Sequence, residues 1–227
     1  MSVFAIADTH LSFGTDKPMD SFPGWSDYVS RIEKNWRKLI ENDDTVIIAG
    51  DISWAMNFKE LYKDFEFLNS LPGTKIIIKG NHDYWWNTAS KMNKFLEESG
   101  FNTIKFLYNN SFEVEGVSIC GSRGWMYESG EEHDEKVLAR EVGRIQRSLE
   151  SAVNGEKIVF LHYPPITTDT RCDEIFEVLK SFKVKRCYYG HLHGAAAYSA
   201  VDGNVDGIEF RLISCDRLGF MPLLIKK

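Results

Sequence analysis

Five of the six histidines in this chain stand where an apolar run ends. His10 closes Asp8-Thr9-His10 after the run at 3–7, and His82 lies in Gly80-Asn81-His82-Asp83 after 75–79. His162 follows 158–161, and Gly190-His191-Leu192-His193 follows 186–189. Gly50-Asp51 ends a further run at 45–49. Imidazole is a ligand for zinc, iron, nickel and manganese, a carboxylate adds charge and can bridge two ions, and an asparagine supplies a neutral oxygen. Mixed nitrogen and oxygen ligation disfavours calcium or a purely magnesium site. One such histidine alone would read as a satisfied structural residue. Sorted together with Asp8, Asp51 and Asn81, the five read as a metal centre.

The chemistry of such a centre follows from its charge. Two ions about 3.5–4 Å apart can share a hydroxide and hold the oxygens of a phosphoryl group. Metal binding lowers the pKa of water, and the positive charge stabilises in-line attack at phosphorus.

The elements around these residues show how they are delivered. Runs at 3–7, 45–49 and 75–79 alternate with helical spacing at 26–40, 57–70 and 88–99. That alternation predicts a largely parallel sheet with helical crossovers. Polar residues just past each strand lie where open α/β sheets bind ligands. The second half predicts a hairpin over 111–114 and 117–120 and a long amphipathic helix over 131–153. It continues with a strand at 158–161, a helix at 173–181 and a strand at 186–189. Strands at 198–201, 209–213 and 220–225 are expected to be antiparallel. The 227 residues fit one domain, 1–227, with no internal repeat or linker.

Composition bounds the function. The chain is 43% hydrophobic and 26% charged, which is ordinary for a globular protein, and its net charge of −6 gives no general attraction to nucleic acid. Lys136, Arg140, Arg144 and Arg147 recur at helical spacing and read as a solvated face paired with Glu132 and Glu141. None of the four cysteines has C-x-x-C spacing, and buried thiols fit a reducing cytoplasm. The first apolar run stops at Asp8, too short for an export signal or a membrane span.

The five blocks Asp8-Thr9-His10, Gly50-Asp51, Gly80-Asn81-His82-Asp83, His162 and Gly190-His191-Leu192-His193 resemble the calcineurin-like metallophosphoesterase family, in the family's order. The resemblance implies an α/β (α+β) fold, a four-layer αββα sandwich with mixed sheets. It also implies two divalent transition-metal ions, manganese, iron, zinc or nickel. Asp8, His10 and His193 would hold one ion, Asn81, His162 and His191 the other, and Asp51 would bridge them. A hydroxide shared by the ions would attack phosphorus in line. His82 would stabilise the transition state or protonate the leaving oxygen, with Asp83 orienting it.

Other residues stay open. Arg123 either forks onto a substrate phosphate or covers Trp125. Tyr163 precedes Pro164-Pro165 at the same rim, and is a second candidate for substrate contact. Tyr84, Trp85 and Trp86 either stack a base or fill the gap between loop and helix; Trp25 and Trp54 are similarly ambiguous. His133 is expected to be exposed near a helix start, and Asp169 and Arg171 are further rim candidates. The stretches 12–24 and 124–133 are candidate lids. The leading expectation is a hydrolase of small phosphomonoesters or phosphodiesters, with the phosphoester as its partner molecule and no membrane. A protein phosphatase or nuclease on the same centre is the alternative, though a nuclease needs a basic groove. A non-catalytic scaffold has no reason to retain His82 and Asp83 beside every ligand.

Overall fold

A computed structural model describes residues 1–125, 135–153 and 155–227. The first half runs β1 (Val3–Ile6), α1 (Tyr28–Leu39), β2 (Thr45–Ala49), α2 (Phe58–Ser70), β3 (Thr74–Ile78), α3 (Ala89–Ser99) and β4 (Ile104–Phe106). The second half runs β5 (Phe112–Val114), β6 (Val117–Ser122), α4 (Glu135–Glu150), β7 (Glu156–Leu161), α5 (Asp173–Ser181) and β8 (Arg186–Tyr189). It ends with β9 (Gly203–Val205), β10 (Ile208–Leu212) and β11 (Leu223–Lys226). Two mixed sheets result, in the orders β11-β1-β2-β3-β4 and β5-β6-β7-β8-β10-β9.

Strand alternation sorts the core into layers. Successive side chains of a strand point to opposite faces of its sheet. Phe4, Ile6, Val46, Ile48 and Ile77 join the cluster that includes Ile32 and Trp36 of α1, Leu61 and Phe65 of α2 and Met92 of α3. Their neighbours Val3, Ala5, Ile47, Ala49, Ile76 and Ile78 instead meet Val117, Ile119, Ile158, Phe160 and Tyr188 of the second sheet. On that sheet's far face, Val159, Leu161, Cys187 and Tyr189 pack on Leu138 and Ile145 of α4 and Ile175 and Phe176 of α5. Sheets buried on both faces explain why these strands read as continuous apolar runs. The layers are helix, sheet, sheet, helix.

Local signals set the helix ends. The Asn57 side chain accepts hydrogen bonds from Lys59 N at 3.0 Å and Glu60 N at 3.1 Å, and Glu60 reaches back to Met56 N at 2.8 Å. This reciprocal capping fixes the start of α2. Gly100 ends α3 in the left-handed region at φ 70°.

Two strand expectations shift, and one strand was not expected. The strand expected at 198–201 is absent: Gly194–Ser199 is a 3-10 helix, and the edge strand is β9. Tyr198 there is 89% exposed and packs on no core, so nothing rewards a strand. The strand expected from 220 begins at Leu223, because Phe220 has φ 63° and Pro222 has no N–H to give a ladder. β4, too short to show a period in the sequence, extends the first sheet parallel to β3. All four cysteines are buried and free. No helix among the described residues is long and apolar enough to cross a membrane.

Candidate active site

The metal-ligating candidates converge from both sheets. Asp8 and His10 follow β1, Asp51 follows β2 and Asn81 follows β3, all in the first sheet. His162 follows β7, and His191 and His193 follow β8, in the second. Parallel strands point their C-terminal ends the same way, so the seven side chains meet across the gap between the sheets.

The turns that aim them are strained. Asp8, His10, Asp51 and His191 all lie in the left-handed region, with φ 59°, 43°, 50° and 71°. A residue with a side chain held there costs about 1–3 kcal/mol, which the surrounding contacts must offset. Asp8 N donates to Gly50 O at 3.0 Å, and His10 N donates to Asp51 O at 3.0 Å. His191 N donates to the Asp8 carboxylate at 3.1 and 3.0 Å, tying the two sheets at the site itself. Gly80 is required by crowding: a Cβ there would sit 2.1 Å from both the N and Oδ1 of Asp51.

Two ligand groups share one carboxylate. Asp8, His10 and Asp51 bring ligand atoms within 4.8 Å of one another, and so do Asp51, His162 and His191. Asn81 Oδ1 lies 2.6 Å from His162 Nε2 and 3.0 Å from His191 Nδ1, within the second group. The His193 ring centroid is 5.4 Å from that of His10, on the side of the first.

The donor set fits cations. Both ring nitrogens of His10 are buried without a hydrogen-bond partner. Such orphans are costly unless something coordinates them. Burial, then the Asp51 charge, raises the Asp8 carboxyl well above the usual range, and burial pushes Asp51 up to about 6. Burial likewise lowers His10 and pushes His162 and His191 down to about 3, so these imidazoles stay neutral. Neutral imidazoles are the ligand state a metal needs, and the raised carboxyls mark crowded negative charge that a bound cation would compensate.

A calcineurin-like phosphoesterase family model matches residues 1–195. The chain belongs to the calcineurin-like phosphoesterase family. Its activity is that of a metal-dependent phosphoric ester hydrolase. No curated protein matches the sequence. Solved structures share the fold at low identity. A protein of unknown function from Aquifex aeolicus matches with 19% identity and a TM-score of 0.51, covering 98% of this chain and 95% of its own. A phosphopantetheinyl hydrolase from Mycobacterium tuberculosis matches with 15% identity and a TM-score of 0.56, covering 94% and 88%.

Asp83 sits in this phosphoesterase otherwise than the resemblance implies. Its carboxylate accepts from Asp51 N at 3.0 Å, Ile52 N at 3.0 Å, Ser53 N at 3.3 Å, Gly80 N at 2.7 Å and Trp85 Nε1 at 3.1 Å. None of these donors is His82, whose Nδ1 is buried without a partner. Asp83 therefore holds the Gly50-Asp51 and Gly80-Asn81 turns together and does not orient the His82 ring. His82 is anchored through its backbone, N to Asp51 Oδ1 at 2.8 Å, with its ring 5.8 Å from that of His10.

Two tryptophans left ambiguous by the sequence wall the candidate site. Trp54 stacks on His10 at 4.8 Å and lies 4.5 Å from His82; Trp25 is 5.9 Å from both His10 and His193. The place of Trp54 three residues past Asp51 was the available signal. The 213–216 loop was not legible. Cys215 Sγ donates to Asp8 O at 2.9 Å, and Asp216 Oδ2 accepts from Gly194 N at 2.7 Å, bracing the turns that carry Asp8 and His193.

Arg123 and Tyr163 lie beside the second ligand group. His162 N and Tyr163 N both donate to Arg123 O, at 3.0 and 2.8 Å, and the Tyr163 ring is 4.5 Å from that of His191. The Arg123 guanidinium is 5.5 Å from the Trp125 ring, so it covers that tryptophan as well. Trp85 and Trp86 pack with Phe106 and fill the space between loop and core, whereas Tyr84 is exposed. Arg171 pairs with Asp173 and Asp206. Of the candidate lids, the 12–24 stretch is tied to α2 through Phe13 N and Asp64 Oδ1 at 2.7 Å. His133 and most of 124–133 lie outside the described residues.

Proposed function

We propose that the chain hydrolyses small phosphoesters at this centre, with Asp8, His10 and His193 holding one metal ion, Asn81, His162 and His191 the other, and Asp51 shared. The single observation that carries the reading is the pair of ligand groups meeting at Asp51. Manganese, iron, zinc and nickel suit that donor set. Bound there, two ions supply a nucleophile from water near neutral pH and neutralise the phosphoryl oxygens.

The chain's own residues do the rest. His82, half-buried with its ring 5.8 Å from that of His10, donates a proton to the leaving oxygen, or a hydrogen bond to the phosphoryl group as charge develops. Trp54 and Trp25 exclude water from one wall. Arg123 and Tyr163 flank the opposite group and orient the ester. The net charge of −6 favours small-molecule esters over nucleic acid.

Turnover of chromogenic phosphomonoesters and phosphodiesters, with each metal added back to stripped protein, tests this reading beside His82→Ala and Asp51→Asn. A phosphopantetheinyl ester belongs in the panel because of the fold shared with such a hydrolase. Metal-dependent turnover lost in both variants supports the assignment; turnover indifferent to His82 and Asp51 removes it.

A further inference from the structure

Nine buried side-chain polar atoms among the described residues lack a hydrogen-bond partner. Four belong to His10, His82 and Trp54, at or against the metal centre. Three others, Trp86 Nε1, Asn109 Oδ1 and Arg123 Nε, belong to residues that line one cavity of about 260 Å³. Chance scatter would not gather orphaned donors and an acceptor around one space, and buried polar groups without partners call for a ligand or water.

The cavity opens past the ends of β3, β4 and β6, the same end of the sheets as the metal centre. Lys79, Arg123 and Arg144 supply three positive charges to its lining. The Lys79 side chain has no hydrogen-bond or ion-pair partner among the described residues. Among the described residues one carboxylate pairs with these charges: Glu141, 1% exposed, pairs with Arg144 and lies 3.7 Å from Arg123. Within that set an excess of two positive charges remains. Tyr163 joins the two places, its ring 5.8 Å from the Arg123 guanidinium and 4.5 Å from the His191 ring.

We infer that this cavity takes a second phosphoryl group of the substrate, so that the enzyme acts on small bisphosphorylated molecules whose reacting phosphate lies at the metal centre. The inference rests on the phosphoester reading of that centre. A terminal phosphate carries three oxygens, matching charged donors that come from separate elements: a forked guanidinium, a second arginine and an ammonium. The volume falls below that of sites for whole ligands, about 300–1,000 Å³, and suits one end of a molecule.

The test is calorimetric binding of butane-1,4-bisphosphonate and of butylphosphonate to the metal-loaded full chain, with longer and shorter spacers, in wild type, Lys79→Gln and Arg144→Gln. Neither ligand can be hydrolysed, so the result does not depend on turnover. The expected result is an affinity for the bisphosphonate about tenfold or more above that for the monophosphonate, with most of that ratio lost in each variant. Equal affinities in wild type, or a ratio both variants leave alone, means the cavity holds ordered water only and overturns the inference. Ester turnover alongside such a result keeps the phosphoesterase reading and sinks this one alone. A retained ratio with no turnover of any ester sinks the hydrolytic reading and leaves the anion site standing. Binding of neither phosphonate refutes both.

Discussion

Replacing Asp83 by asparagine separates two accounts of this residue. If Asp83 orients His82, the variant loses turnover and keeps its stability. The hydrogen bonds assign it another task. Oδ1 accepts from Ile52 N, Ser53 N and Trp85 Nε1, and Oδ2 from Asp51 N and Gly80 N. Asparagine has one oxygen. Its better orientation puts that oxygen at the three-donor position and turns an NH2 group toward Asp51 N and Gly80 N. Two buried donors then face another donor, and each such loss costs about 1–3 kcal/mol, or about 2–6 kcal/mol together. That is a large part of a typical domain's stability. Metal affinity falls with it, because the same two turns carry Asp51 and Asn81. Denaturant midpoints of the metal-loaded wild type and variant measure the loss, with metal content read in parallel. A variant within about 0.5 kcal/mol of wild type, fully metallated and yet inactive, would refute the scaffold argument and restore the pairing with His82.

Gly80→Ala places a Cβ within 2.1 Å of the Asp51 backbone and carboxylate, so turnover is expected to fall by roughly a hundredfold, read together with metal stoichiometry. Chelating the metal leaves the buried Asp8 and Asp51 uncompensated; at about a thousand times the dissociation constant, bound metal contributes about 4 kcal/mol, so calorimetry should show a melting temperature lower by roughly 8–16 °C after chelation. Lys75 is buried in β3 with its Nζ donating to Leu71 O and Gly73 O, and burial pushes it down to about 7. The unfolded chain therefore binds more protons between pH 7 and about 10.4, so stability rises with pH through that window and is flat below it. Equilibrium unfolding across the window should show the slope flattened in Lys75→Met. Asn57→Ala removes the cap of α2 and should lower stability by about 1 kcal/mol with catalysis unchanged, by denaturant midpoint and turnover.

Much of the site was legible because metal ligands need few residue types, and parallel strands deliver them at one recognisable place, just past an apolar run. The blocks around Asp8, Asp51, Asn81, His162 and His191 carry that signature in one dimension. So do the strands, since burial on both faces leaves a continuous apolar run. Strands without that burial were misread. Residues 198–201 carry an apolar tyrosine and valine, yet Tyr198 faces solvent and the other three are only half-buried, and β4 is too short to show a period.

What only the tertiary structure decided lies in contacts between segments far apart in sequence. The family resemblance pairs Asp83 with His82; its donors come mainly from a turn some thirty residues earlier. Cys215 and Asp216 support Asp8 and Gly194 from a loop with no motif. The cavity lined by Lys79, Arg123 and Arg144 exists because β3 and β6 end beside the middle of α4. Residue type and local period fix which groups can bind metal and which face turns inward. Hydrogen-bond partners and the charge of a cavity depend on distances across the fold, and those exist only once the two sheets pack.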